Sequence, residues 1–415
     1  MSSPPHRASP TLVALGVLAA LVAVLLLWQQ PWSSGEASSR SADDADLDVR
    51  LRSQLTQAAA ATDAASWSAA FGPAGASVGV ASWEAREALG VADVALALVS
   101  VGAAPDREDG TRSAIVRVTW GVGDDAVLGP AGESVATVAA RVRPSAQGEA
   151  VDVVGFEPRG DGSASDPVPL WLSGEVTIDD TSAALVVSVA TGEGSGIPSA
   201  AALTATAAAQ VSALTGSTAR VAVIVPSSEA SAAAILGRGS AGLGRVAGVA
   251  TTVAGAGAPV VVLNPAEFER MDPRGRQVVV THELTHAMTG GVGTTAPTWL
   301  VEGFADWVAL HDDTAPLATS AGDLLAQVAR SGPPEALPTE NDLAGPTSGA
   351  AYQGAWLSLV VLGRENGGDA AVLEVYREAV AGTPVEQVLA AVGSSVAELT
   401  AQWRDYLVYS ASTVS

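Results

Sequence analysis

The chain has 415 residues, 48% of them apolar, enough for two or three domains with buried cores. Acidic residues number 44 against 21 basic ones, every one of them Arg, and a net charge of −23 argues against a nucleic-acid partner, whose phosphates it would repel. With no Cys, disulfides, thiolate metal sites and cysteine nucleophiles are excluded.

The first expected element is membranous. Residues 11–28 read TLVALGVLAALVAVLLLW, an uncharged run near the lower limit for a spanning helix. Arg7 precedes it, Trp28 and Trp32 stand where interfacial anchors would, and acidic residues follow. The positive-inside tendency then puts residues 1–10 in the cytoplasm and the bulk of the chain outside. A cleaved signal peptide is the alternative; no A-x-A site follows the run, which favours an uncleaved anchor over residues 11–28. Residues 29–45, Ser-rich and acidic, are expected to be a linker.

A small α+β domain is expected over residues 46–170. Leu51, Leu55, Ala58 and Ala59 fall at helical spacing within a helix predicted from about Leu47 to Ala70. Alternating segments at 114–120, 134–142 and 151–156 predict antiparallel strands, with turn clusters at 105–110 and 160–162. The element order resembles a cystatin-like or nuclear-transport-factor-like domain. No catalytic constellation falls within it, and a spacer or docking role is the expectation.

From Trp171 to the end a second domain, 171–415, is expected. Strands are predicted at 184–190, 219–225 and 260–263, and helices at 199–214 and 228–236. From about Asp272 nearly everything reads helical, broken at Pro316, Pro333, Pro334, Pro338 and Pro346. Strands first and helices second is again an α+β arrangement.

The chemistry is concentrated in two short segments. Residues 282–286 read HELTH. On a helix, positions i and i+4 share a face, so His282 and His286 can converge on one ion, while Glu283 reaches toward a water on it. Zinc lowers the pKa of such a water, and a neighbouring carboxylate can take its proton. Residues 297–307 read PTWLVEGFADW, with Thr298 as the expected cap of a new helix. Glu302 lies sixteen positions after His286. It supplies the third of the three protein ligands that a catalytic zinc needs, leaving the fourth position open. Asp306, four residues on, can accept the distal N–H of a ligand His and set its tautomer.

HELTH followed by WLVEGFADW resembles the gluzincin metallopeptidases, the clan of thermolysin and aminopeptidase N. The composition of the chain is that of a high-GC bacterial genome. The match is confined to about 280–310, with a looser correspondence of element order from 175 to 410. The resemblance implies Zn²⁺ as cofactor, His282, His286 and Glu302 as ligands, Glu283 as general base, and a peptide or protein as substrate. It further implies a transition-state role for Tyr352, in Ala351-Tyr352-Gln353-Gly354. The clan's aminopeptidases carry Y-x-x-G where this chain has Y-x-G, so a packed, hydrogen-bonded Tyr352 is the alternative. His311, nine positions past Glu302, is either a proton donor or an ordinary exposed His. The G-x-M-E-N stretch of aminopeptidases is absent; residues 255–264 read GAGAPVVVLN, either a cleft-lining strand or a core strand. The expectation is thus a membrane-anchored, extracytoplasmic zinc metallopeptidase; the alternatives are a non-catalytic zinc-containing binding or scaffolding module and an accidental HELTH.

Overall fold

The structure is a computed structural model. It describes residues 42–414 apart from 103, 104, 106, 125, 147, 149, 160–165, 191–196, 198, 239–242 and 345–347. The expected tail at 1–10, the anchor at 11–28 and most of the 29–45 linker lie outside the described residues. Among the described residues, no helix is long and apolar enough to cross a membrane. The chain divides into Met1–Leu47 and Asp48–Ser415. Of the first unit only the opening of helix α1 (Ala42–Ala59) is described, and every other described element belongs to the second.

The fold is α+β. The single helix expected between Leu47 and Ala70 is in fact two, α1 and α2 (Ala64–Ala69). The break is made by Asp63, whose carboxylate accepts the Ser66 N–H at 2.8 Å and caps a new helix. Helix α3 (Ala76–Leu89) follows and ends on Gly90 in the left-handed conformation. Strands β1 (Val91–Val101), β2 (Arg112–Val122), β3 (Ser134–Pro144) and β4 (Val151–Pro158) then form an antiparallel sheet in sequential order. Ala114, Val116, Val118 and Trp120 of β2 are all buried, the period of two that the sequence carries. Over this sheet Trp67 stands 6.2 Å from Trp83 and 6.0 Å from Trp171, and Trp120 lies edge-on to Trp171 at 6.2 Å. In a chain otherwise rich in Ala and Val, these rings supply much of the buried apolar area.

Trp171 sits in a short 3₁₀ turn (Leu170–Leu172) that leads into a mixed sheet of order β5-β6-β7-β9-β8. Its strands are β5 (Glu175–Asp180), β6 (Leu185–Ala190), β7 (Ala222–Pro226), β8 (Gly248–Thr251) and β9 (Val260–Leu263). Strands β6, β7 and β9 run parallel, with β5 and β8 antiparallel at the two edges. Helix α4 (Ala200–Thr215) is the crossover between β6 and β7, and α5 (Glu229–Ile235) follows β7. The parallel strands β7 and β9 are buried along their length and β6 along most of its own, as a sheet covered on both faces requires. Of the 255–264 segment only Val260–Leu263 is strand, and it is internal. The edge next to β9 is β8, a four-residue strand in Gly-rich surroundings, too short for alternation to signal.

The rest is helical: α6 (Pro265–Arg270), α7 (Pro273–Thr289), α8 (Thr298–Ala309), α9 (Leu317–Ser331), α10 (Glu340–Ala344), α11 (Ser348–Asn366), α12 (Asp369–Val380), α13 (Val385–Ala391) and α14 (Val396–Val414). Pro316 directly precedes α9, and Pro333, Pro334 and Pro338 occupy the α9–α10 connection; Pro346 lies among the undescribed residues. One apolar core runs from the mixed sheet through α7 and α8 into α11, α12 and α14.

Candidate metal centre

Helix α7 is launched by Asp272, whose side chain accepts the Gly275 N–H at 2.7 Å, with Pro273 as its first residue. It stops at Gly290, at φ 83°, whose N–H bonds back to the His286 carbonyl. Leu284, Ala287 and Met288 face the core, and His282, Glu283 and His286 lie on the other side of the helix. Helix α8 starts without the expected side-chain cap from Thr298; Thr298 is already helical, and the Pro297 carbonyl accepts the N–H groups of Leu300 and Val301. The rigid φ of Pro297 presets this entry.

The two helices bring three ligand atoms together. His282 Nε2 is 3.2 Å from Glu302 Oε2, His286 Nε2 is 3.3 Å from the same oxygen, and the two Nε2 atoms are 3.0 Å apart. Bonds of about 2.1 Å in a tetrahedral zinc site would separate adjacent ligand atoms by about 3.4 Å. The observed triangle has nearly those edges, so this donor set fits a zinc ion. Asp306 takes the expected place: its Oδ1 is 2.7 Å from His282 Nδ1, which donates to it. That bond commits Nε2 of His282 to the centre of the triangle.

The electrostatics follow from this crowding. Burial disfavours ionised Glu302, but hydrogen bonds and charge from His282 and His286 outweigh it and hold the carboxyl far below its usual range. Burial likewise disfavours a charged His282, yet Asp306, Glu302 and Glu283 raise its pKa well above the ordinary value. The triangle is therefore tuned to hold positive charge, a proton or a metal ion.

Glu283 stands beside this triangle. Its Oε2 accepts the Ala250 N–H at 2.8 Å, so the edge strand β8 holds it. Gly248 makes that approach possible: a Cβ there would lie 2.9 Å from Glu283 Cγ. Neither Gly248 nor Ala250 stands out in the sequence; the only local signal is a Gly before a short β-branched run. On the other side, α11 crosses α8 at Gly303, where a Cβ would fall 2.5 Å from the Ala355 carbonyl oxygen. The close crossing brings Tyr352 to a ring separation of 6.2 Å from His282. Burial, then Glu302, Asp306 and Glu283, push the Tyr352 hydroxyl well above its ordinary pKa, so it stays protonated and can donate. His311 is not part of this cluster: its Nε2 lies 3.4 Å from Asp369 and its ring is edge-on to Trp307.

Tyr376 of α12, which sequence reasoning missed, lies behind the triangle. It bonds Thr289 Oγ1 at 2.9 Å and stacks on Phe304, and its pKa is pushed up to about 12 by burial and by Glu302, against the opposing Thr289 bond. Nothing in its sequence context, an apolar helix face, distinguishes it from core.

No protein-family model matches this chain, and no curated protein does.

Proposed function

We propose that this protein is a zinc-dependent hydrolase of peptide bonds. The observation that carries the reading is the triangle of His282, His286 and Glu302, with a separate carboxylate, Glu283, beside it. A purely structural zinc has no use for that fourth acidic group. When bound, zinc supplies Lewis acidity and makes water a competent nucleophile near neutral pH. Glu283 takes one proton from the attacking water as its oxygen bonds to the carbonyl carbon. As the carbon–nitrogen bond breaks, Glu283 returns that proton to the leaving nitrogen. Tyr352, kept protonated by its surroundings, donates to the oxygen on which negative charge develops. Asp306 keeps the His282 ring in place throughout.

The proposal includes an anchored, extracytoplasmic location set by residues 11–28. It is tested by membrane fractionation of the full chain against one lacking those residues; equal release of both into the soluble fraction would refute it. The catalytic reading is tested by metal analysis of purified protein together with cleavage of a fluorogenic peptide library with and without a chelator. Glu283→Gln is expected to keep its zinc and lose at least about 100-fold in turnover. Zinc binding with no turnover on a broad library would point to a binding module instead, and an active Glu283→Gln protein would remove the base assignment.

A further inference from the structure

The fold does not treat its two motif histidines alike. Nδ1 of His282 donates to Asp306. Nδ1 of His286 has no protein partner among the described residues, and it is not sealed from water. A metal-binding imidazole almost always donates its other N–H to something, which fixes both the ring and its tautomer. The groups nearest this nitrogen come from the end of α7 and from α12.

Two observations define them. The first is Gly291. Its neighbour Gly290 closes α7 at φ 83°, a conformation that favours glycine. Gly291 has no positive φ, so what its missing side chain provides is room. A Cβ there would lie 2.9 Å from His286 Nδ1, 3.1 Å from Tyr376 Oη and 3.1 Å from His286 Cα. The imidazole nitrogen and the phenol oxygen thus flank one small space. They do not bond directly, yet both are near enough to it for a single water, with bonds of about 2.8–3.0 Å, to span them.

The second is the order of donors behind Tyr376. Thr289 has one O–H, and it donates to the Thr285 carbonyl at 2.5 Å. In the 2.9 Å bond between Thr289 Oγ1 and Tyr376 Oη the phenol is therefore the donor. Its proton is committed to Thr289, and its lone pairs are left to accept. The ring is stacked on Phe304 at 3.6 Å and is 1% exposed, so this oxygen is held in place. A water that accepts from Nδ1 of His286 and donates to Tyr376 Oη matches every donor to an acceptor. It leaves the Nε2 lone pair of His286 facing the triangle.

We propose that Tyr376 is a positioning residue for His286: through one water in the space beside Gly291, its Oη takes the Nδ1 hydrogen bond that Asp306 takes directly from His282. This rests on the zinc-binding part of the proposed function, not on peptide cleavage. One imidazole is then oriented by a carboxylate and the other by a neutral phenol.

Zinc-loaded protein labelled with ¹⁵N at histidine tests this. Two zinc-dependent Nδ1–H resonances are expected; the one moved by Asp306→Asn belongs to His282, the other to His286. In the unsubstituted protein the His286 proton should show a cross-peak to a bound water. Tyr376→Phe, which keeps the ring on Phe304, is expected to speed solvent exchange of the His286 proton at least tenfold and leave the His282 proton unchanged. It should weaken zinc binding by about three- to tenfold, the worth of one neutral hydrogen bond, in competition with a chromogenic chelator. Thr289→Val distinguishes positioning from a tether between α7 and α12. It removes the Thr289–Tyr376 bond but keeps the phenol oxygen, so the His286 proton should stay slow to exchange. Equal acceleration in Thr289→Val and Tyr376→Phe overturns the assignment, as does a His286 proton indifferent to Tyr376→Phe. If Tyr376→Phe fails to fold, absence of the water cross-peak in the unsubstituted protein still overturns it. Protein that binds no zinc shows neither resonance and removes the zinc reading itself, whereas zinc binding without these effects at His286 removes this inference alone.

Discussion

The proposed function gives single side chains around the triangle separable tasks, and substitution tells them apart. Glu302→Gln removes the only anionic ligand, so zinc content is expected to fall at least tenfold, measured on dialysed protein. Asp306→Asn leaves the ligands intact but weakens the acceptor that orients His282 (Nδ1–Oδ1 2.7 Å); loss of such a partner typically costs about 10- to 100-fold in metal affinity, read by competition with a chromogenic chelator. Tyr352→Phe should retain zinc and KM while kcat drops by about 100-fold, the signature of a group that acts only on developing charge. A Tyr352→Phe protein with unaltered kcat would return Tyr352 to the alternative, a packed residue of α11. The motif residues were legible because HELTH and Glu302 sit on long, well-delimited helices, where spacing converts directly into geometry. Tyr376 was not, since its partner Thr289 comes from an element about 90 residues away, a relation that no local pattern encodes.

At the scale of elements, the site depends on how closely three of them approach. Strand β8 reaches Glu283 only because Gly248 has no side chain. Gly248→Ala is therefore expected to displace Glu283 from the Ala250 N–H and lower kcat at least tenfold, with zinc content unchanged. Helices α8 and α11 cross at Gly303 with no room for a methyl group. Overpacking of this kind costs typically about 1–3 kcal/mol, so Gly303→Ala should lower the unfolding midpoint as well as activity. The elements themselves followed mostly from periodicity: β6, β9, α4 and α5 lie within a few residues of their expected positions. The helix expected from Leu47 to Ala70 instead breaks before Asp63, whose side-chain cap starts a new helix and overrides the helix-favouring Ala residues on either side. Of the two readings of 255–264, the core strand is the one the structure shows: strand order in a mixed sheet is a tertiary choice, and β9 is enclosed between β7 and β8.

For the unit from Asp48 to Ser415 as a whole, the charge balance of the site makes stability depend on pH and metal together. In the metal-free protein His282 has a raised pKa, so its contribution is complete below its ordinary value of 6.5 and is lost as pH rises through the raised one. Glu302 is depressed, so its contribution is complete above its ordinary value of 4.5 and is lost only as pH falls toward the depressed one. Together these two groups favour the metal-free fold most between those two ordinary values. Zinc competes with the protons held there, so its stabilising effect should grow with pH. The difference in unfolding temperature between zinc-loaded and metal-free protein is expected to widen from pH 6 to pH 8, and zinc titrations in buffers of different ionisation enthalpy should report proton release. A pH-independent difference would show that the imidazoles are not the ligands.

Composition, the HELTH pattern with Glu302 downstream and the α+β succession of strands and helices could be read from the chain alone, because each rests on residue identity or on short-range periodicity. What only the tertiary structure decided is which strand forms the edge beside Glu283 and how near α11 comes to His282. Those facts depend on glycines at crossing points and on the order in which distant strands pair. The energies that select them come from contacts between segments far apart in sequence, where no period or spacing carries the information.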